Sequence, residues 1–315
     1  MPELTIVETH ERTPLDRLID DYLASCRARG LSPKTVKFVY AYVLKSVFLP
    51  FCRREGVNQP DQVTRKVLDR FSTGLLDTGG SKGRLSKHSV HSYVRSVNSF
   101  LSWAAREGEV GADTKAQLPK LGRRLLEVLS REEIQTMEDV AKTERDKLIV
   151  RVLADTGIRL GELIGLRTSD VVVQGRRHYL RVRGKGDLER LVPISPTLQT
   201  RLRRYIDRAR PKDVNGDHLF IALRRNAAGD LDPLAASGVE QMIKILAQVA
   251  GVQKRVYPHL LRHSFVTWSL TRGMNPIQLA QIVGHTSLAM IQQVYAHLTP
   301  TDAYDAMLRV LQAED

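Results

Sequence analysis

The 315-residue chain has only two cysteines, Cys26 and Cys52. Two are too few for a disulfide framework, and they lack the paired spacing of a zinc site, so both are expected to be buried, reduced thiols. Apolar residues are few at the start: the opening MPELTIVETHERTPLD carries acids and no apolar core, so no secretory leader is expected. No later apolar run reads as long enough to cross a bilayer, so a cytoplasmic protein without a membrane partner is expected. Acids are in deficit, with 35 Asp and Glu against 48 Lys and Arg, which leaves a formal charge of +13 and a pI near 9.9. That balance suits a polyanionic partner, nucleic acid first, although a merely soluble basic protein shows the same surplus.

Hydrophobic residues make up 42% and charged residues 26% of the chain, the proportions of a protein folded throughout. Its length exceeds the ~250 residues at which a single core usually stops growing, so two domains are expected. From Leu15 to about Glu107 the apolar spacing is helical, with no alternating stretch. Two segments open alike, Leu31-Ser32-Pro33-Lys34-Thr35-Val36-Lys37 and Leu85-Ser86-Lys87-His88-Ser89-Val90-His91, each with a serine suited to the N-cap. They also close alike, on Arg-Glu-Gly at residues 54–56 and 106–108, where glycine suits a helix C-terminus. Lys34, Lys37, Lys87 and Arg95, with His88 and His91, lie in or near the opening turns as candidate DNA contacts, with an ordinary solvated face as the alternative.

Residues 109–128 break the helical pattern with glycine, proline and mixed charge, and read as a linker between domains at 14–108 and 129–315. After it come helices from Ser130, a β-like stretch from residue 179 to residue 194, and helices again. In the stretch, Tyr179-Leu180-Arg181-Val182-Arg183 and Leu188-Glu189-Arg190-Leu191-Val192 flank Gly184-Lys185-Gly186-Asp187, which reads as a hairpin with a lysine at its tip. The expected fold class is mostly α with a small β-sheet, an all-helical N-terminal domain followed by an α+β domain.

Breaking a phosphodiester without a metal requires three things: neutralised non-bridging oxygens, an activated nucleophile and a proton for the departing oxygen. Arginine suits the first because its planar fork matches phosphate and stays charged near neutral pH. The C-terminal half contains Thr156-Gly157-Ile158-Arg159-Leu160-Gly161-Glu162-Leu163, Lys185, His259-Leu260-Leu261-Arg262-His263, Gly284-His285 and Tyr295. In this order and combination the sequence resembles the tyrosine recombinase, or phage integrase, family, and above all its compact Xer-type members. The motifs span residue 129 to the C-terminus, and the helical N-terminal half fits the family's core-binding domain in size and character.

The resemblance implies a site-specific DNA recombinase that works through a 3′-phosphotyrosine intermediate. Tyr295 would be the nucleophile, Arg159 and Arg262 the clamp on the scissile phosphate, and Lys185 the acid for the leaving 5′ oxygen. His259 would serve proton transfer or phosphate binding, His285 would hold a phosphate oxygen, and Glu162 would support from behind. Tyr304 competes for the nucleophile's place, but Tyr295 follows Gly284-His285 by about one helix whereas Tyr304 lies beyond Pro300. The implied partner is double-stranded DNA with paired half-sites, bound by a homotetramer, with a monomer in solution left open; no cofactor and no metal is expected. Only about a dozen residues precede the first helix, so no separate arm-binding domain is expected. A last stripe, Ala303, Ala306, Met307, Val310 and Leu311, has the spacing of an apolar helix face that docks on its own domain or on a neighbouring protomer.

Three rival readings stand beside this one. His259 and His263 have the i, i+4 spacing of helical zinc ligands, but position 260 is leucine where the zinc-protease motif has glutamate. A non-catalytic DNA-binding protein would not need the full residue set. A type IB topoisomerase uses similar residues, but the compact two-domain plan is more similar to the Xer-type recombinases.

Overall fold

The computed structural model describes residues 12–77, 84–122, 127–184, 188–212, 214, 216–284 and 307–308. Lys185, His285, Tyr295, Tyr304 and the C-terminal stripe apart from Met307 therefore lie outside the described residues. The chain divides into two compact units, residues 1–123 and 124–315.

The first unit is helical. Helix α1 (Pro14–Ala28) starts where Thr13 and Asp16 cap each other's backbone N–H groups, at 3.2 and 3.1 Å, with Pro14 in the first turn. Its apolar stripe, Leu15, Leu18, Ile19, Tyr22, Leu23 and Cys26, is buried. Helix α2 (Thr35–Arg54) buries Val36, Val43, Leu44, Phe48, Leu49 and Cys52, and its winding loosens to π-type over Thr35–Ala41 and Leu44–Phe48. Helices α3 (Arg65–Asp77) and α4 (Lys87–Arg106) complete the core, with the Phe48 and Phe71 rings edge to face at 5.2 Å. Both thiols are free and buried, and burial pushes Cys52 up to about 12.

The serines act as the sequence suggests. Ser32 Oγ accepts from the Thr35 N–H at 3.2 Å and Ser86 Oγ from the Ser89 N–H at 3.1 Å. Gly56 and Gly108 take left-handed φ values of 71° and 80° just past the helix ends. One expectation is corrected: α2 is 20 residues long and contains an 18-residue window with a mean hydropathy of 1.3, long and apolar enough by length and composition to cross a membrane. Its apolarity is spread round the helix, with a stripe committed to this core and Phe38, Val39 and Tyr42 exposed. Residues 109–122 do not all stand apart from this unit, because Ala116 is buried in its core and exchanges two 2.9 Å hydrogen bonds with the Asn98 side chain.

The second unit is built round α6 (Glu144–Thr156), which packs against α5 (Arg131–Asp139), α8 (Pro196–Arg204) and α10 (Pro258–Thr271). The very short α7 (Leu160–Ile164) follows α6, α9 (Ala236–Val249) packs against α5 and α7, and α11 (Pro276–Val283) follows α10. The sheet has three antiparallel strands rather than the expected two: β1 (Val171–Gln174), β2 (Arg177–Arg183) and β3 (Glu189–Pro193), in that order. β1 joins β2 through Gly175-Arg176, with Gly175 at φ 60°, so the signal was a glycine turn after a strand of only four residues. Leu180, Val182 and Val192 face the core from the same side of the sheet.

Candidate active site

The described motif residues, Arg159, Glu162, His259 and Arg262, converge because three chain reversals meet. The first is at the end of α6, where Gly157 adopts φ 62° and a Cβ would collide with the Phe265 ring, so only glycine fits. This turn brings Arg159 to the start of α7 in extended backbone. Glu162, in the first turn of α7, then accepts the Arg159 backbone N–H at 2.8 Å and its Nη1 at 2.9 Å. The three-residue spacing in Arg-x-Gly-Glu is thus half of a helix cap as well as an ion pair.

The second reversal precedes α10, whose first turn opens with Pro258 and carries His259, one turn ahead of Arg262. Arg262 is only 2% exposed, and it donates through Nη1 to the Gly157 carbonyl and through Nη2 to the Val283 carbonyl at 2.7 Å. Burial, then the charge of Arg159, lowers its pKa to about 10, which still leaves it charged at neutral pH. His259 is exposed, and desolvation followed by the charges of Arg262 and Arg159 holds its pKa below the ordinary histidine value, so it is neutral and able to accept a proton at pH 7.

The third reversal ends α11. Asn275 caps its start by accepting from the Ile277 and Gln278 N–H groups, and Gly284 ends it at φ 67°. Its last carbonyls form the negative end of a helix, and arginines occupy three in succession. Arg190 Nε donates to Ile282 at 2.7 Å, Arg262 Nη2 to Val283 at 2.7 Å, and Arg159 Nη2 to Gly284 at 2.7 Å. The next residue in the chain is His285, whose placement lies outside the described residues.

Sequence reasoning missed Arg190. It donates to both oxygens of the buried Glu162, at 3.0 and 2.8 Å. Burial alone would raise the Glu162 carboxyl; the hydrogen bonds from Arg190 and the Arg159 backbone outweigh it and hold the pKa below the usual carboxylate value. A signal was present: Arg190 pairs with Val182 and lies two residues from Val192, so it is a charged residue on the core-facing side of a strand. Three guanidiniums against one carboxylate leave a local surplus of two positive charges, which complements the two negative charges of a pentacoordinate phosphorane.

His263 is half-buried with an unpartnered Nδ1, and among the described residues no three His, Cys, Asp or Glu side chains group as ligands.

Comparison with known proteins decides the family. The model of the phage integrase family matches residues 127–302, more than half of the chain. The chain belongs to the phage integrase family. As a member it is an enzyme, a site-specific recombinase of the tyrosine type. It is 28% identical to the tyrosine recombinase XerD of Listeria monocytogenes serotype 4b, over 90% of this chain and 95% of that one. It is 31% identical to the tyrosine recombinase XerC of Oceanobacillus iheyensis, over 89% and 91%. In fold it is similar to the Tn1549 transposon integrase in complex with a circular intermediate DNA, with a TM-score of 0.71 at 19% identity, over 95% and 99% of the two chains.

Proposed function

We propose that this recombinase cuts double-stranded DNA by attack of the Tyr295 hydroxyl on the scissile phosphorus. The Tyr295 O–P bond forms and the P–O5′ bond breaks, leaving a 3′-phosphotyrosine and a free 5′ hydroxyl. His259 accepts the tyrosine proton, Lys185 gives one to the 5′ oxygen, Arg159 and Arg262 hold the non-bridging oxygens, and His285 holds one of them as charge develops. Rejoining reverses these steps with a 5′ hydroxyl from another strand, so the phosphotyrosine conserves the bond energy and no cofactor is consumed. The observation that carries the reading is the set of three arginines and Glu162 gathered at the Ile282–Gly284 carbonyls, immediately before His285.

The leaving-group role gives a test. On a duplex whose site has been selected by the purified protein from a random DNA pool, Lys185→Ala is expected to lose cleavage of the normal strand. It should regain most of it when the 5′ bridging oxygen is replaced by sulfur, a leaving group that needs no proton. Cleavage of the sulfur substrate that stays as low as that of the oxygen substrate removes Lys185 from the acid's place.

The relatives and neighbours support DNA as the partner, the transposon integrase being seen on DNA. The first unit (14–108 in our assignment, with 129–315 catalytic and 109–128 between) is assigned to hold the duplex. Lys34, Lys37, Lys87 and Arg95 are exposed and form no ion pair within the described residues; His88 is exposed and His91 half-buried. The two helices that carry them touch through the Tyr42 and Tyr93 rings at 6.2 Å. Removing one such cation is expected to weaken binding to all sequences alike and to reduce the slope of log affinity against log salt by about one unit for each phosphate no longer neutralised. A quadruple alanine variant with unchanged affinity and slope makes these residues a solvated face. Recombination joins two duplexes and needs four cuts, so the working assembly is a homotetramer on paired half-sites, with the stripe from Ala303 to Leu311 docking into the next protomer of a ring.

A further inference from the structure

Arg190 lies outside the set that the proposed chemistry uses, yet its guanidinium touches more of the site than any described residue in that set. From β3 it grips both oxygens of Glu162 and the carbonyls of Ile282, at 2.7 Å, and Val283, at 3.4 Å. A Cβ on Gly284 would fall 2.9 Å from its Cζ, so the guanidinium also fills the space left by the glycine that ends α11. Its side chain keeps 16% of its exposure, against 39% for Arg159. The more open Arg159 shares Oε1 of Glu162 with Arg190 and spends its other terminal nitrogen on Gly284. Every described group that orients Arg159 is therefore itself held by Arg190, through Glu162 on one side and through the end of α11 on the other.

We infer that Arg190 is a positioning residue for strand cleavage: it locks Glu162 and the last turn of α11 so that Arg159 meets the scissile phosphate in one fixed orientation. The inference rests on the clamp role proposed for Arg159. Arg190 is enclosed by its partners and is not assigned a contact with DNA. Its effect on cleavage runs through Arg159 and disappears when the clamp is not needed.

The test compares Arg190→Met, Arg159→Ala and the double variant of the full chain on the selected duplex, with half-site binding and melting temperature measured alongside. Each substrate is made twice, with a normal scissile phosphate and with a methylphosphonate, which lacks the negative charge that a clamp must neutralise. Arg190→Met is expected to slow cleavage of the normal phosphate by about 10²-fold, as a misplacement of ~1 Å does. It should bind the half-site as before. Adding it to Arg159→Ala should cost no further rate, and on the methylphosphonate both single deficits should shrink together. If the two deficits multiply, or if the Arg190→Met deficit is equally large on both substrates, the role is structural only and the inference is overturned. Should Arg190→Met not fold, Arg190→Lys takes its place, since a single ammonium keeps the charge beside Glu162 but cannot grip two carboxylate oxygens and two carbonyls at once. If Arg159→Ala itself cleaves normally, the clamp reading fails first; if Arg159→Ala is crippled and the Arg190 variant is not, only the positioning role fails.

Discussion

Arg262→Ala is expected to reduce single-turnover cleavage by at least ~10²–10³-fold, the usual cost of removing one donor aimed at developing charge. Two features of its surroundings push the effect to the upper end. Arg262 is 2% exposed in the space between Gly157 and Val283, so no bulk solvent stands ready to replace the missing charge with its own dipoles. Its removal also strips the buried Gly157 carbonyl of its donor, at ~1–3 kcal/mol for a group left unsatisfied, and leaves Val283 only the longer bond from Arg190, so the variant should melt earlier as well as cut more slowly. Arg262→Lys separates these effects, because an ammonium reaches one carbonyl or the phosphate but not all three positions. It should recover part of the melting temperature and little of the rate. The measurement is a suicide-substrate time course beside a thermal melt; full cleavage by Arg262→Ala at a temperature where it is folded would remove this residue from the clamp.

What the sequence made legible follows from how local each signal is. Ser32 and Ser86 are caps whose partners lie three residues away, and each appears in the structure where the pattern placed it. The Arg159–Glu162 pair was legible for the same reason, and the His259–Arg262 pair because one helical turn separates them. Arg190 reaches Glu162 across 28 residues of chain and Ile282 across 92, and nothing short of the fold announces those partners. Only its place in the strand alternation was visible, and that marks an anomaly without naming what satisfies it. β1 was hidden by its length, and the apolar character of α2 by the way its hydrophobic residues are spread round the helix.

Tyr295→Phe has the largest expected effect of all, complete loss of the covalent adduct, because it deletes one oxygen and keeps the ring. A residual rate would need another nucleophile in the same place. Tyr304 is the nearest rival in sequence, nine residues further on. A phenol has a pKa of roughly 10, and in the proposed reaction guanidiniums and a neutral imidazole facing Tyr295 would let it pass on its proton more readily than in plain solvent. Phenylalanine has no such proton to lose. DNA affinity should be nearly unchanged, since the hydroxyl is one contact among many to the phosphate backbone.

The most direct measurement traps wild-type protein on a nicked suicide duplex, digests both protein and DNA, and sequences the peptide that carries the nucleotide by mass spectrometry. The predicted result is a single adduct, on Tyr295, joined to the 3′ phosphate of the cut strand and absent from Tyr295→Phe but retained by Tyr304→Phe. A nucleotide on any other side chain, a 5′ linkage, or an adduct that survives in Tyr295→Phe would contradict the assignment of Tyr295 as nucleophile.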